Sequence, residues 1–435
     1  MDGSFSVPYE VESKCMTSEK MVPFQYITSQ ANLYRFLDEI EKATWIGYDT
    51  EFISEGRYLP ELCLVQVATE MGNYLLDPLK IHDLNPFWER LCREDTVSIV
   101  HACRSELEFC FRAIKRFPAR VFDVQLAAAF VGYGYPLNFK SLAGETIQVS
   151  LEKSETLTDW KRRPLLNSQL RYAINDVCHL RRIAEFLRKN LDARGRMDWF
   201  EQEMIEYAES LKFSFTEERW RKVVGSKLSS GDELTVFRDL WIWRQTKALA
   251  KNTPPTRILR DDLLISLAKL HTADPERIAV MRGVSGLPQS QMVRELSEVI
   301  KKALNTPEEE KPRTTNHNYP VYKLATQLVG VLLVQYCHRR DISYHVVTTT
   351  ADIRQAIAEH EGTLPANEKS RLTSGWRAEF LGDFLTNVLN GRYAMQLTDN
   401  LDEHPLRLID VGGAESKVVP DMDATPVDGD VGDEH

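Results

Sequence analysis

Trp45-Ile46-Gly47-Tyr48-Asp49-Thr50-Glu51-Phe52 is the stretch around which the rest of the chain is organised. It lacks proline and is rich in aromatic and other large apolar residues, which predicts a β-strand. Side chains alternate along a strand, so Asp49 and Glu51 project from the same face. Two carboxylates that close repel each other and disfavour mutual ionisation. A bridging cation removes that penalty, and oxygen ligands suit Mg²⁺ or Mn²⁺. A solvent-exposed strand end carrying two hydrated acids accounts for the same eight residues equally well, so the rest of the chain decides between them.

Upstream, Thr28-Ser29-Gln30 opens a helical pattern through Leu33, Phe36, Leu37 and Ile40, with Ser29 as N-cap. Downstream, 62–68 and 74–76 read as strands joined through a turn at Gly72-Asn73. Helical segments at 87–92, 105–114 and 125–130 then alternate with short strands at 97–100 and 121–123. Three strands followed by this alternation predict an α/β domain whose sheet has mixed strand directions. One long helix is expected over 170–187. It carries Tyr172 and Asp176 four residues apart, hence on one face.

An Asp-x-Glu on a first strand, an acid on a helix after His101, and a helical Tyr-x-x-x-Asp come in that order. Together with Thr158-Asp159-Trp160-Lys161-Arg162-Arg163-Pro164-Leu165, Gln169, Tyr172-Ala173 and Asp176-Val177, this sequence resembles the ribonuclease D family. These are DEDD 3′→5′ exonucleases with the tyrosine variant of the last motif. The resemblance implies an RNase H-like α/β exonuclease domain, a mixed sheet with flanking helices. It also implies hydrolysis of phosphodiesters from RNA 3′ ends, with tRNA precursors the usual substrate class and no small-molecule cofactor.

By the same resemblance, Asp49, Glu51, Glu106 and Asp176 hold two divalent ions, Mg²⁺ or Mn²⁺, roughly 3.5–4 Å apart. Tyr172 orients the attacking water rather than acting as a base, since an unperturbed tyrosine titrates near pH ~10. The second motif departs from the family pattern. His101-Ala102-Cys103-Arg104-Ser105-Glu106-Leu107 carries Glu106 where Asp is usual, one methylene longer. Either the longer carboxylate completes the site or the site is weakened and the chain serves as a nucleic-acid-binding scaffold. A DNA 3′→5′ exonuclease fits the same acids. Phe52 is placed to stack on the terminal base or to pack in the core. His101 and Asp123 are read as supporting structure, Glu108 as a surface acid and Trp160 as packing.

Leu240-Trp241-Ile242-Trp243-Arg244, 252–261 and Met281-Arg282-Gly283-Val284 are similar to the helicase-and-RNase-D C-terminal (HRDC) domain, a small helical bundle. Arg244, Lys247, Lys251, Arg257 and Arg260 cluster around its first loop. They are expected either to contact RNA phosphates or to form a solvated face. The expected organisation is a disordered 1–22, an exonuclease domain over 23–190, a helical connector over 191–231 and an all-α HRDC domain over 232–304. A linker over 305–319, a helical accessory domain over 320–412 and an acidic disordered tail over 413–435 complete it.

Of the net charge of −10, more than half is concentrated after residue 420, where six acids and no Lys or Arg occur. The seven scattered cysteines include no Cys-x-x-Cys pair, which argues against a disulfide framework or zinc site and fits a reducing cytoplasm. No signal peptide is indicated, and the apolar run 322–336 is too short to span a bilayer. No membrane partner is therefore expected, and nothing in the sequence specifies an oligomeric state.

Overall fold

The computed structural model describes residues 22–151, 158–215, 219–225, 227–284, 290–312, 322–365, 368–398, 406–412 and 417–418. The expected disordered start (apart from residue 22), part of the linker and the acidic tail expected over 413–435 (apart from 417–418, which form a strand) lie outside the described residues.

A six-stranded mixed sheet is built from β1 (Gln25–Ile27), β2 (Trp45–Ile53), β3 (Glu61–Thr69), β4 (Gly72–Leu76), β5 (Val97–Val100) and β6 (Val121–Asp123). Its order is β1-β4-β3-β2-β5-β6. β2 runs antiparallel to β3 and parallel to β5, so the acid-bearing strand sits centrally. α1 (Gln30–Glu39) begins where expected, with the Ser29 hydroxyl accepting from Asn32 N at 3.3 Å. The β3–β4 turn falls at Glu70-Met71, two residues before the expected Gly72-Asn73. Gly72, at φ 151°, is instead the first residue of β4.

The two sheet faces are covered by different helices. Tyr48, on one face, packs edge-on against Phe87 and Trp88 of α2 (Asn85–Leu91), and α3 (Arg104–Ile114) lies beside it. On the other face lie α6 (Asn167–Cys178) and α7 (Leu180–Ala193). Gly47 allows α7 its close approach, since a Cβ there would meet Leu180 Cδ1 at 3.3 Å. The single helix expected over 170–187 is thus two, because the chain leaves helical hydrogen bonding at His179. α4 (Val124–Phe130) and α5 (Phe139–Ile147) complete the layer, and α8 (Met197–Ser214) follows.

α9 (Trp220–Val224), α10 (Gly231–Ala250), α11 (Pro255–Ile258), α12 (Asp261–Leu270), α13 (Pro275–Ala279) and α14 (Gln291–Leu304) form a bundle with its own core around Phe237, Leu264 and Leu296. Ser230 and Glu233 start α10 with a reciprocal capping box. The bundle's first loop touches the sheet domain: the Asn252 side-chain oxygen accepts from Tyr58 N at 3.2 Å and from Leu59 N at 3.3 Å.

The region after the bundle departs from the expected separate helical domain. α15 (Lys323–His338), α16 (Tyr344–Val347), α17 (Thr350–His360), α18 (Gly375–Leu381) and α19 (Phe384–Leu389) share one hydrophobic core with the sheet domain. Trp376 stacks on Trp199 and tilts onto Phe130 at 4.9 Å. Arg196 Nη1 donates to the carbonyls of Phe130 and Asp341 at 2.7 Å each. Beyond α19 the described residues include three antiparallel strands rather than further helix, β7 (Tyr393–Leu397), β8 (Leu406–Asp410) and β9 (Lys417–Val418).

Candidate active site

β2 delivers Asp49 and Glu51 to the face covered by α6, and α6 delivers Asp176. One carboxylate oxygen from each of the three lies within 4.8 Å of the others. Tyr172, one turn before Asp176, hydrogen-bonds to it. Glu106 is delivered by α3 on the opposite face, and the Thr50 hydroxyl donates to its Oε1 at 2.7 Å. Thr50 points away from Asp49 and Glu51 by strand alternation. Glu106 thus reaches the strand from α3 rather than from α6, and is almost fully buried with Asp49 within hydrogen-bonding reach.

Crowding of buried acids sets the electrostatics. Loss of water pushes the Asp49 carboxyl up to about 6. Asp176 is pushed up to about 8, by burial and then by the charge of Asp49. Glu51 rises to about 9, through burial and then through Asp49, Asp176 and Glu106. Glu106 moves in the same direction for the same reasons. Burial first, then the carboxylates, raise Tyr172 as well, so it remains a neutral phenol. One oxygen of Asp176 is buried with no hydrogen-bond partner. Converging oxygens, mutual repulsion and an orphaned acceptor are the donor set of a hard divalent cation.

Buried contacts outside the acids fix their positions. Asp123 accepts from Ala102 N at 3.0 Å, Cys103 N at 2.9 Å and Gln125 N at 2.9 Å, clamping the turn that starts α3. That clamp supports Ala102 at φ 60°. His101 Nε2 lies 2.9 Å from the Leu137 carbonyl. Both residues thus sit in the supporting positions expected of them. Gln169 fastens the start of α6 through Leu166 N, Thr158 Oγ1 and the Asp159 carbonyl.

Arg163 ties two parts of the site together, a role not legible from its place in the chain. Its Nε and Nη2 grip the two oxygens of fully buried Asp77 at 2.7 and 2.8 Å. Nη1 donates to the Trp160 carbonyl ahead of α6, and Nη2 donates to the Cys63 carbonyl. Cys63 is the extra residue of a β-bulge opposite Glu51 and Phe52, where the β2–β3 register slips. Arg163→Met leaves buried Asp77 without its counter-charge, with the hydrogen bonds from Tyr26 and Leu79 N remaining, and is expected to cost about 3 kcal/mol or more in urea unfolding. Arg163→Met combined with Asp77→Leu is expected to recover much of that loss. A single variant as stable as wild type would show that the pair does not anchor the site.

Phe52 packs edge-on against Phe109 at 5.3 Å. The two rings line a cavity of about 110 Å³ with Pro60, Arg104, Ser105, Glu108 and Arg112. Glu108 is an ion-pair hub rather than a loose surface acid, meeting Arg104 at 3.1 Å and Arg112 at 3.2 Å.

The bundle cations divide. Arg244 is corrected from a phosphate contact to a structural residue: it is 3% exposed and bonds the Leu259 carbonyl and Asp261. Lys247 pairs with Glu295 at 2.8 Å, and Arg260 with Asp262 at 3.1 Å. Lys251 is exposed at the end of α10. Arg257 reaches the loop leaving β2, its Nη1 3.6 Å from where a Cβ on Gly56 would be. The bundle's first loop therefore abuts the loop leaving β2, although some 200 residues separate them in sequence.

Residues 24–192 match the family model described as 3′–5′ exonuclease, and 233–300 match the HRDC domain. The curated ribonuclease D of Nitrobacter hamburgensis is 29% identical over 378 residues, 85% of this chain and 96% of the relative. That of Gluconacetobacter diazotrophicus is 30% identical over 371 residues, 84% and 93% respectively. The crystal structure of Escherichia coli RNase D, an exoribonuclease involved in structured RNA processing, is similar with a TM-score of 0.74. It is 27% identical, and the match covers 85% of this chain and 99% of that one. Among the described residues, no helix is long and apolar enough to cross a membrane.

Proposed function

This chain belongs to the ribonuclease D family, and from that premise we propose that it is a metal-dependent 3′→5′ exoribonuclease acting on structured RNA in the cytoplasm. Its substrates on this reading are 3′-extended RNAs such as tRNA precursors, and its products nucleoside 5′-monophosphates. The observation that carries the reading is the convergence of Asp49, Glu51 and Asp176, brought from β2 and α6 to within 4.8 Å.

Asp49, Glu51 and Asp176 would hold one cation, with Glu106 contributing to a second through Asp49. Two Mg²⁺ or Mn²⁺ ions, when bound, supply a water acidic enough to ionise near neutral pH and neutralise charge on the phosphate. The protein's own groups do the positioning. Tyr172, kept neutral by burial and with its one hydroxyl proton given to Asp176, orients the water through its oxygen without acting as its base. Phe52 offers an aromatic surface to the terminal base, a contact worth ~1–3 kcal/mol and indifferent to base identity. Lys251 and Arg257, beside the loop leaving β2, meet the phosphates of the RNA body.

The test is digestion of a 5′-labelled, 3′-extended tRNA with Mg²⁺, with Mn²⁺ and with chelator, beside a DNA of the same sequence. Stepwise shortening of the RNA in either metal and none in chelator is expected. Cleavage in chelator would overturn the metal reading, and preferential shortening of the DNA would overturn the substrate reading.

A further inference from the structure

Three thiols surround the base of the helix that carries Glu106. Cys103 is buried at the start of α3, and burial and the neighbouring Asp123 keep its proton on. Cys92, just after α2, and Cys110, on α3, face each other with their sulfurs 3.9 Å apart. Cys92 is half-buried and also donates to the Phe117 carbonyl at 3.1 Å. Cys110 is fully buried. Cys110 lies four residues after Glu106, one helical turn along the same face. Between the two stands Tyr48, whose hydroxyl is buried without a hydrogen-bond partner.

We propose that Cys92 and Cys110 form an oxidation site, where hydrogen peroxide closes a disulfide that draws α3 toward α2 and withdraws Glu106 from its place beside β2. A disulfide needs its sulfurs about 2.05 Å apart, so the pair must approach by roughly 2 Å. Cys110 is fully buried in a close-packed interior, so the approach is shared between rotation of the two side chains and a shift of α3. α3 bears both Glu106 and the Phe109 ring against Phe52, so the displacement reaches the site through both.

The chemistry balances with peroxide as the named oxidant. Cys92 is the first thiol to ionise, because Cys110 donates to it and Arg116 stands beside it. Its sulfur attacks one peroxide oxygen; the O–O bond breaks, and hydroxide leaves and takes up a proton as water. Cys110 sulfur then attacks the Cys92 sulfenic acid. The S–S bond forms and the S–O bond breaks, releasing a second water with the Cys110 proton. Two thiols lose two electrons, and one peroxide becomes two waters. A dithiol reductant reverses the step by exchange.

The activity arm rests on the exoribonuclease reading; the covalent arm does not. Reduced protein is treated with hydrogen peroxide, alkylated with iodoacetamide, digested without reductant and weighed by mass spectrometry, with RNA shortening followed in parallel. A Cys92–Cys110 cross-linked peptide is expected, together with a roughly tenfold or greater loss of activity, as displaced catalytic groups produce. Dithiothreitol is expected to restore the activity. Cys92→Ser and Cys110→Ala are each expected to retain activity through the same treatment. Recovery of both cysteines alkylated, or cross-linking through Cys103 instead, would overturn the site. A cross-link that leaves the rate unchanged would overturn its coupling to Glu106. A reduced protein with no activity but the expected cross-link would put the failure in the exoribonuclease reading.

Discussion

Asp176→Asn and Asp49→Asn are each expected to slow RNA shortening by roughly three orders of magnitude while leaving the chain folded. Each change removes a carboxylate charge from a set of three within 4.8 Å. An amide is nearly the same size but is a poor ligand for a hard cation, so binding falls with the rate. Calorimetric titration of Mn²⁺ should show that directly. The fold has no use for these charges, because burial already drives the acids toward their protonated forms. In chelator at pH 8, both variants are therefore expected to melt no lower than wild type. Glu106→Gln belongs in the same series, with a smaller loss of roughly tenfold. A wild-type rate for Asp49→Asn or Asp176→Asn would remove that residue from the site.

The second expected result is a metal-free protein that becomes less stable as pH rises, and a stabilisation by Mg²⁺ that grows over the same range. Asp49, Asp176 and Glu51 reach about 6, 8 and 9 in the fold, against about 4 when unfolded. Groups raised by folding hold more protons in the native state. Their stabilising contribution is complete below pH ~4 and is lost as pH rises toward 9. A bound cation reverses the trend, since ionised carboxylates are what it binds. At one hundred times the dissociation constant, binding adds about 2.7 kcal/mol. Each kcal/mol moves the melting point of a domain this size by roughly 2–4 °C. Melting with Mg²⁺ and with chelator from pH 5.5 to 8.5 should therefore show a widening gap. His101 and His179, which burial shifts down, drop out of that difference if Mg²⁺ does not touch them. A gap independent of pH would mean that the acids do not carry the cation.

What was legible in the sequence was local. Strand alternation put Asp49 and Glu51 on one face, and helical spacing put Tyr172 and Asp176 on another element's face. The family block supplied the expectation that the two faces meet. The single helix expected over 170–187 is two, because the apolar pattern continues through His179 while the helical backbone does not. Glu106 illustrates a harder limit: its register on α3 was readable, but α3 approaches from the side of Thr50. Arg163 and Asp77 are 86 residues apart and each looks like an ordinary surface charge until the bulge at Cys63 brings them together. Arg244 failed for the same reason in reverse, since charge alone cannot distinguish a solvated arginine from one that holds a loop. The strands over 393–418 lie in a polar stretch with little periodicity, and pairing rather than local preference creates them.

The core shared by the sheet domain and the helices after the bundle has a consequence for synthesis. Leu33 and Leu385 belong to one hydrophobic cluster, whereas the bundle between them keeps a cluster of its own. A ribosome delivers the catalytic acids within the first 176 residues, yet the apolar surface beside α4 and α8 is covered only after α16 and α18 have emerged. During that interval the bundle folds on its own as a nearly finished excursion, while the nuclease half waits with its flank open. A message truncated after the bundle would thus release a polypeptide that holds every acid of the site and still exposes a wall of Trp199, Phe130 and their neighbours.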